Sequence, residues 1–242
     1  MSGSSFVIGF HAVEELLQSD AYVNKVFVNV NADKVKVGVI RALCKEKIVP
    51  LQMVPVQKLN KLSRQNHQGI IAITSPIQFV PLEETVTRLY ESGIQPRIVI
   101  ADGVQDVRNL GAISRSCKAF GVHLLICGIK SNAEINDAAV KSSAGALLDL
   151  PVARVASLKE CMEYLQSWGL TQIAASEKSS TELRDYKPEK DSWCLWLGNE
   201  DKGLSRERLS EMDVVLRIPM SKETDSLNVS VAAGIMLYSL TS

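Results

Sequence analysis

The chain has no pairing of cysteines that would make a metal site or a disulfide frame. Its five cysteines, Cys44, Cys117, Cys127, Cys161 and Cys194, are scattered and odd in number, with no C-x-x-C among them. That pattern predicts reduced, mostly buried thiols. The three histidines, His11, His67 and His123, are too dispersed for ligation, so no metal is expected. No stretch approaches the roughly 20 apolar residues a membrane helix requires. The start, MSGSSFVIGFHAVEELLQSD, has neither a basic leader region nor a sustained apolar run. The expectation is no membrane and a cytoplasmic location. Two nucleotide fingerprints are missing as well. The absence of G-x-G-x-x-G after any strand counts against a dinucleotide fold, and the absence of G-x-x-x-x-G-K-[ST] counts against a phosphate-loop nucleotidase.

Charge of one sign is also lacking, since the formal net charge is zero. It is unevenly spread, however. Residues 1–75 carry Lys25, Lys34, Lys36, Arg41, Lys45, Lys47, Lys58, Lys61 and Arg64 against Glu14, Glu15, Asp20, Asp33 and Glu46. A basic front points weakly to phosphate, and an ordinary solvated surface explains it equally well. With 242 residues, 46% of them hydrophobic and 22% charged, the chain suits one large globular domain or a small one beside a medium one.

Periodicity favours two domains. GFHAVEELLQSD has helical spacing, KVFVNVN reads as a strand, VKVGVIRALCKEKI as a helix and VPLQMVP as a short strand. LNKLSRQ follows as a short helix and GIIAITSP as a strand stopped by Pro76. This makes a small α/β unit over residues 1–76. Residues 77–95 bracket an amphipathic helix between Pro81 and Gly93 and read as a connector. From 96 to 242 the strands RIVIADGV, HLLICG, TQIAASE, WCLWLGNE and VVLRIP alternate with helical NLGAISRSCKAFG, INDAAVKSSAG, SLKECMEYLQSWG and SRERLSEM. Near-continuous apolar strands between helices imply a mostly parallel sheet covered on both faces. Ligands on such sheets sit beyond the carboxyl ends of strands.

Three segments follow strand ends of this second domain. In the first, Asn109 is expected to cap a helix, Gly111 to permit close backbone approach, and Arg115 to lie near the helix mouth as a phosphate or hydroxyl fork. A surface arginine on an ordinary βα unit is the plainer alternative. In the second, Gly198 and Gly203 bracket Asn199, Glu200, Asp201 and Lys202 after the apolar WCLWL. In the third, Ile218-Pro219-Met220 precedes SLNVSVAAGIMLYSL, a helix that opens with Ser226, Asn228 and Ser230 before turning apolar. Such residues favour helix starts because they accept bonds from free backbone N–H groups. Alone the third segment does not distinguish a ligand mouth from a capped core helix.

Together, Asn109-Leu110-Gly111 with Arg115, Leu197-Gly198-Asn199-Glu200 with Gly203, and Ile218-Pro219-Met220 with Ser226-Leu227-Asn228-Val229-Ser230 resemble the three motifs of the SpoU (TrmH) family of RNA ribose 2′-O-methyltransferases. Lys141-Ser142-Ser143-Ala144-Gly145-Ala146 is similar to the family's intervening segment. Gly9-Phe10-His11-Ala12-Val13 and His67-Gln68-Gly69-Ile70-Ile71-Ala72 resemble the ribosomal-protein-like RNA-binding domain that precedes the catalytic domain in many members.

The resemblance implies an N-terminal α/β RNA-binding domain and a C-terminal α/β-knot methyltransferase domain, threaded as a deep trefoil knot. It also implies a homodimer and S-adenosylmethionine as cofactor. Leu197, Gly198, Ile218, Met220, Leu227 and Asn228 would hold the cofactor. Asn109, Arg115, Glu200 and Ser230 would form the catalytic set, with Glu200 accepting from Arg115 or holding Asn109. Arg64, His67 and Gln68 would contact RNA. The implied reaction methylates a ribose 2′-hydroxyl, most like that of the enzymes acting on guanosine of large-subunit ribosomal RNA. A tRNA ribose methyltransferase and a non-catalytic RNA-binding or ribosome-assembly protein are the alternatives.

Overall fold

The computed structural model describes residues 6–129, 131–189, 191–221 and 226–242. Two compact units emerge, one formed by residues up to 78 with 134–137, the other by 79–133 and 138–242.

The first unit runs β1 (Phe6–Ile8), α1 (Phe10–Gln18), β2 (Val23–Asn29), α2 (Lys34–Glu46), β3 (Leu51–Val54), α3 (Val56–Leu62) and β4 (Ile70–Thr74). Its sheet has the order β1-β4-β2-β3, with β2 and β3 parallel and β4 antiparallel to both of its neighbours. The period-two alternation of strands divides the core between the two faces. Val26, Val28, Ile70 and Ala72 pack with Val13 and Leu17 of α1 and Val37, Ile40 and Cys44 of α2. Phe27 and Ile71 pack on the other face with Leu59 of α3 and Val54. Three-residue β1 is too short to show a period, which is why the sequence reading lacks it. Helix α3 begins at Val56 rather than Leu59, because Pro55 occupies the position before its first turn, where a missing N–H costs nothing.

The second unit continues with α4 (Leu82–Glu91), β5 (Arg97–Ala101), α5 (Val107–Ala119), β6 (Leu124–Gly128), α6 (Asp137–Ser142), β7 (Val152–Val155), α7 (Leu158–Ser167), β8 (Thr171–Ala175), β9 (Trp193–Leu197), α8 (Arg206–Ser210), β10 (Val214–Leu216) and α9 (Val229–Thr241). The sheet order is β10-β8-β9-β5-β6-β7, and every pairing is parallel. Ile98, Ile100, Leu124, Ile126, Cys194 and Trp196 face α4 and α7. Residues of the opposite parity, Val99, Leu125, Trp193, Leu195 and Leu197, are equally buried, so both faces are covered as the apolar runs predict. The helix expected in the connector 77–95 is α4, whose Val86 is fully buried in this core.

Strand β7 was not anticipated, because Arg154 interrupts its apolar run. Its guanidinium lies 3.7 Å from the centre of the Phe79 ring, which lets a cation sit within a strand. All five cysteines are free and buried, as expected. Burial pushes the Cys44 thiol up to about 11 and Cys127 and Cys161 to about 12, so none is a nucleophile. Among the described residues no helix is long and apolar enough to cross a membrane.

Candidate active site

From β5 the chain proceeds outward through β6 and β7, whereas from β9 it passes the other way to β10. The crevice where such connections diverge is open at the strand ends. The loops after β5 and β9 meet there.

The loop after β9 is a tight hairpin. Asn199 N donates to Gly203 O at 3.2 Å and Gly203 N to Asn199 O at 2.9 Å. A Cβ on Gly198 would stand 2.3 Å from the Gly203 carbonyl carbon, so only glycine fits beneath this turn. The hairpin carries Glu200 to the start of α5. One carboxylate oxygen of Glu200 accepts from Asp106 N (3.0 Å) and Asn109 Nδ2 (3.1 Å), the other from Gln105 N (3.2 Å). Burial opposes the Glu200 charge. The bonds from Asp106 and Asn109, with those of its own and the Gln105 backbone, outweigh it and hold the carboxyl below its usual range.

The charge on Glu200 fixes the direction of a longer chain of bonds. A carboxylate only accepts, so Asn109 must turn its Nδ2 toward Glu200 and present Oδ1 on its far side. That Oδ1 accepts from Asn228 Nδ2 at 3.0 Å. Asn228 is thereby left with Oδ1 outward, and it accepts from Ser230 N (2.9 Å) and Ser230 Oγ (2.6 Å). Asn228 is the N-cap of α9, as its position in the sequence predicts. The three motifs are therefore one hydrogen-bonded relay.

An asparagine brace holds the β5–α5 loop from both sides. Asn199 Nδ2 donates to Gly103 O at 2.9 Å. Asn132 Oδ1 accepts from Gly103 N (3.1 Å) and Val104 N (2.8 Å), while its Nδ2 donates to Ala101 O (2.7 Å) and Gly128 O (3.3 Å). Sequence reasoning missed Asn132, and no local motif marks it. The brace positions the Gln105 and Asp106 N–H groups that meet Glu200.

Beside the relay lies a cavity of about 440 Å³ at the ends of β8, β9 and β10. Leu197, Gly198, Glu200, Ile218, Met220 and Leu227, all singled out from sequence, line it. Ser176, Glu177 and Lys178 after β8 also line it and were missed. The strand TQIAASE was legible, and applying the strand-end rule to it would have found them.

Several expected positions differ. Asp106, not Asn109, caps α5, accepting from Arg108 N at 2.7 Å; Asn109 lies inside the first turn because the helix begins two residues earlier. Gly111 approaches protein rather than ligand: a Cβ there would stand 2.0 Å from Ser142 Oγ and 2.6 Å from Ala139 O of α6. Arg115 is the ninth residue of α5, about 9 Å along the axis from Asn109. It is exposed, and its guanidinium has no partner among the described residues, so Glu200 holds Asn109 and not Arg115. In the first unit, Arg64 and Gln68 are exposed on the loop before β4. His67 is buried: its Nδ1 accepts from Gly69 N (3.0 Å) and its Nε2 pairs with Asn60 Oδ1 (2.8 Å). It braces that loop and has no ring nitrogen left for RNA, which corrects the expected contact.

Helices α5 and α9 run side by side in the same direction. Asn109 meets Asn228, Ser116 lies beside Gly234, and Phe120 packs edge-on against Tyr238. Along α9, Val231, Ile235 and Tyr238 are exposed. No cluster of three or more His, Cys, Asp or Glu suited to a metal occurs among the described residues.

Comparison with known proteins matches residues 96–238 to the SpoU rRNA Methylase family and residues 6–80 to the RNA 2′-O ribose methyltransferase substrate binding family. A putative TrmH family tRNA/rRNA methyltransferase of Staphylococcus haemolyticus is 30% identical over 232 residues, covering 96% of this chain and 93% of that protein. The Bacillus subtilis YacO, described in the same words, is 30% identical over 233 residues with the same coverage of each chain. Among solved structures, the SpoU methyltransferase AviRb from Streptomyces viridochromogenes in complex with AdoMet shares the fold, with a TM-score of 0.61 at 23% identity over 98% of this chain and 89% of that one. The TrmH/SpoU tRNA modifying enzyme of A. aeolicus is 32% identical over 65% of this chain and 81% of that one, with a TM-score of 0.54.

Proposed function

The chain belongs to the SpoU rRNA methylase family, and from that premise we propose that it transfers a methyl group from S-adenosylmethionine to the 2′-hydroxyl of a guanosine ribose in large-subunit ribosomal RNA. The observation that carries this reading is the relay Glu200–Asn109–Asn228–Ser230 at the side of an apolar strand-end cavity.

The cavity fits the cofactor's adenosine. Its volume lies within the range of small-molecule sites, and Leu197, Leu216, Ile218 and Leu227 give it apolar walls suited to a purine face. The hairpin residues Gly198 to Gly203, with Ile218 and Met220, also line the cavity, and in this reading their main-chain groups would meet the purine edge. When bound, S-adenosylmethionine supplies a methyl group already activated on a sulfonium, so the protein's work is alignment and management of one proton. Glu200, kept ionised, orders the relay. Ser230 Oγ spends its proton on Asn228 Oδ1 and so presents lone pairs outward, as an acceptor for the substrate hydroxyl. Arg115 orients the hydroxyl or the adjacent phosphate and stabilises developing alkoxide charge.

Arg115 enters the site through a homodimer in this reading. The exposed stripe Val231, Ile235 and Tyr238 lies on α9 at the level of α5 that bears Arg115, so a second copy seated on the stripe would meet its guanidinium. The same reading includes a trefoil knot in the second domain. Its support is that Ile218–Met220 and Ser226–Val229 wall one cavity with the loops after β8 and β9. Ribosomal RNA is favoured over tRNA because residues 6–80 match a substrate-binding family, while the tRNA modifying enzyme of A. aeolicus aligns with only 65% of the chain. A cytoplasmic location follows from that substrate.

Incubation with methyl-labelled S-adenosylmethionine and unmodified large-subunit ribosomal RNA, followed by mapping of alkali-resistant linkages, tests the proposal. One labelled linkage 3′ to a guanosine is the expected result. Cofactor binding with no label in any RNA would favour a non-catalytic RNA-binding protein, and absence of cofactor binding would overturn the reading.

A further inference from the structure

Helix α2 carries a glycine with no structural reason to be there. Gly38 is the fifth residue of a thirteen-residue helix, and a Cβ built on it meets nothing within 4 Å. Glycine inside a helix weakens it relative to alanine. No neighbouring segment accounts for the missing side chain. A glycine there leaves room for close approach by something outside the unit.

The cations of α2 fall into two sets. Lys36 and the following Lys47 are engaged with α1 and its end: Lys36 Nζ lies 5.7 Å from the centre of the Phe10 ring, and Lys47 Nζ bonds Ser19 O. Lys34, Arg41 and Lys45 are exposed, and their side chains have no ion pair or hydrogen bond among the described residues. At about 100° per residue these three fall within roughly 40° of one another around the axis, on the flank away from Lys36, with Gly38 beside them. They extend over about 16 Å along the helix axis. Two carboxylates flank the set in sequence: Asp33 caps the helix, accepting from Lys36 N at 2.9 Å, and Glu46 is exposed beside Lys45.

We propose that this flank of α2 docks the phosphate backbone of the RNA substrate, with Lys34, Arg41 and Lys45 neutralising phosphates and Gly38 admitting the strand against the helix. The proposal rests on the RNA-methylation reading above and adds to it a surface distinct from the loop bearing Arg64 and Gln68. Sequence-independent phosphate contact of this kind positions a substrate and leaves recognition of the modified nucleotide to the site.

The test uses the full chain and unmodified large-subunit ribosomal RNA transcripts, with dissociation constants measured across salt concentrations. The triple variant Lys34→Ala/Arg41→Ala/Lys45→Ala is expected to bind about tenfold or more weakly at about 0.1 M salt. Its log–log salt slope should fall by about 2, at roughly 0.7 per lost phosphate contact. Gly38→Ala is expected to melt at a higher temperature yet bind RNA at least about threefold more weakly, a combination that a purely structural glycine does not produce. The pair Lys36→Ala/Lys47→Ala should stay within about twofold of the wild type, and S-adenosylmethionine affinity should be unchanged throughout. A triple variant with wild-type affinity and slope, or a control pair that loses as much, overturns the proposal. Gly38→Ala binding as tightly as wild type overturns the close approach. Failure of the wild type to bind any transcript defeats the RNA reading itself, an outcome separable from the others.

Discussion

Helices α2 and α5 are written in nearly the same grammar and serve opposite ends. Each has thirteen residues, each is capped by an aspartate, Asp33 or Asp106, and each has glycine as its fifth residue. Each also exposes an arginine in its second half, Arg41 or Arg115. In α5 the glycine is sealed, because Ser142 and Ala139 of α6 occupy the space a Cβ would need. In α2 the same position faces open space. The cap of α5 lies beside a second carboxylate, Glu200, which takes the next free N–H groups and carries order onward to Ser230. Nothing comparable continues from Asp33. A glycine's meaning is thus set by what packs on it, and a helix start becomes a site only when another segment brings a charge to it.

The largest effect expected from breaking that contrast is at Glu200. Glu200→Ala leaves the Gln105 and Asp106 N–H groups without their acceptor and frees Asn109 to flip. Every donor and acceptor down to Ser230 then loses its fixed direction. Methyl transfer should fall about 100-fold or more, the range for losing a preorganised polar group, while RNA affinity, which belongs to the first unit in our reading, should change little. Single-turnover rates and RNA binding check both. Glu200→Gln sharpens the point through pH. An unfolded glutamate titrates near about 4.3, and the folded carboxyl is held lower. Its contribution to stability is therefore complete above that unfolded value and is lost as pH falls through the folded one. Denaturant unfolding should show wild type more stable than Glu200→Gln at neutral pH, with the gap closing below about pH 4. A constant gap would mean that the charge does not matter.

The glycine pair gives the next largest effect. Gly111→Ala places a methyl against a backbone carbonyl that cannot rotate away. Overpacking of this kind costs about 1–3 kcal/mol, more than the roughly 1 kcal/mol that alanine's helix preference returns. Net destabilisation of about 1 kcal/mol, up to about 2 kcal/mol, is expected by denaturant titration, with loss of activity as α5 shifts. Below it comes Asn132→Ala, which removes four hydrogen bonds from the brace around Gly103. Activity should drop about tenfold as the loop loosens, following the 1–3 kcal/mol typical of unpaired buried polar groups. Because the loop supplies N–H groups to Glu200, the acid limb of the unfolding profile should move up with it. A stability loss without that movement would make Asn132 structural only.

How far these differences could be read in advance depended on how local their causes are. Five strands of the six-stranded parallel sheet were legible because runs such as WCLWL are apolar on both faces. Strand β7 escaped because the partner that makes Arg154 acceptable, Phe79, is remote in sequence. The wall residues Leu197, Ile218 and Leu227 followed from strand ends and motif likeness. The role of Asn109 followed in part: a hold by Glu200 was one of the two alternatives that motif likeness left open, whereas the onward bond to Asn228 was not foreseen. His67 shows the converse error, since a histidine in a polar loop invites an RNA role until both ring nitrogens are found engaged.

The smallest expected effect is the most pointed test of the comparison. Gly38→Ala adds a methyl that touches nothing and removes one of the least favourable residues from a helix interior. Stability should rise by about 1 kcal/mol, partly because the unfolded chain loses the freedom that glycine gave it. The same substitution in the same helical position thus carries opposite signs in α2 and α5. Should Gly38→Ala instead destabilise, measured by denaturant titration in the absence of RNA, some contact within the chain must cover that flank of α2. The distinction between a glycine kept for packing and one kept for a partner would then collapse.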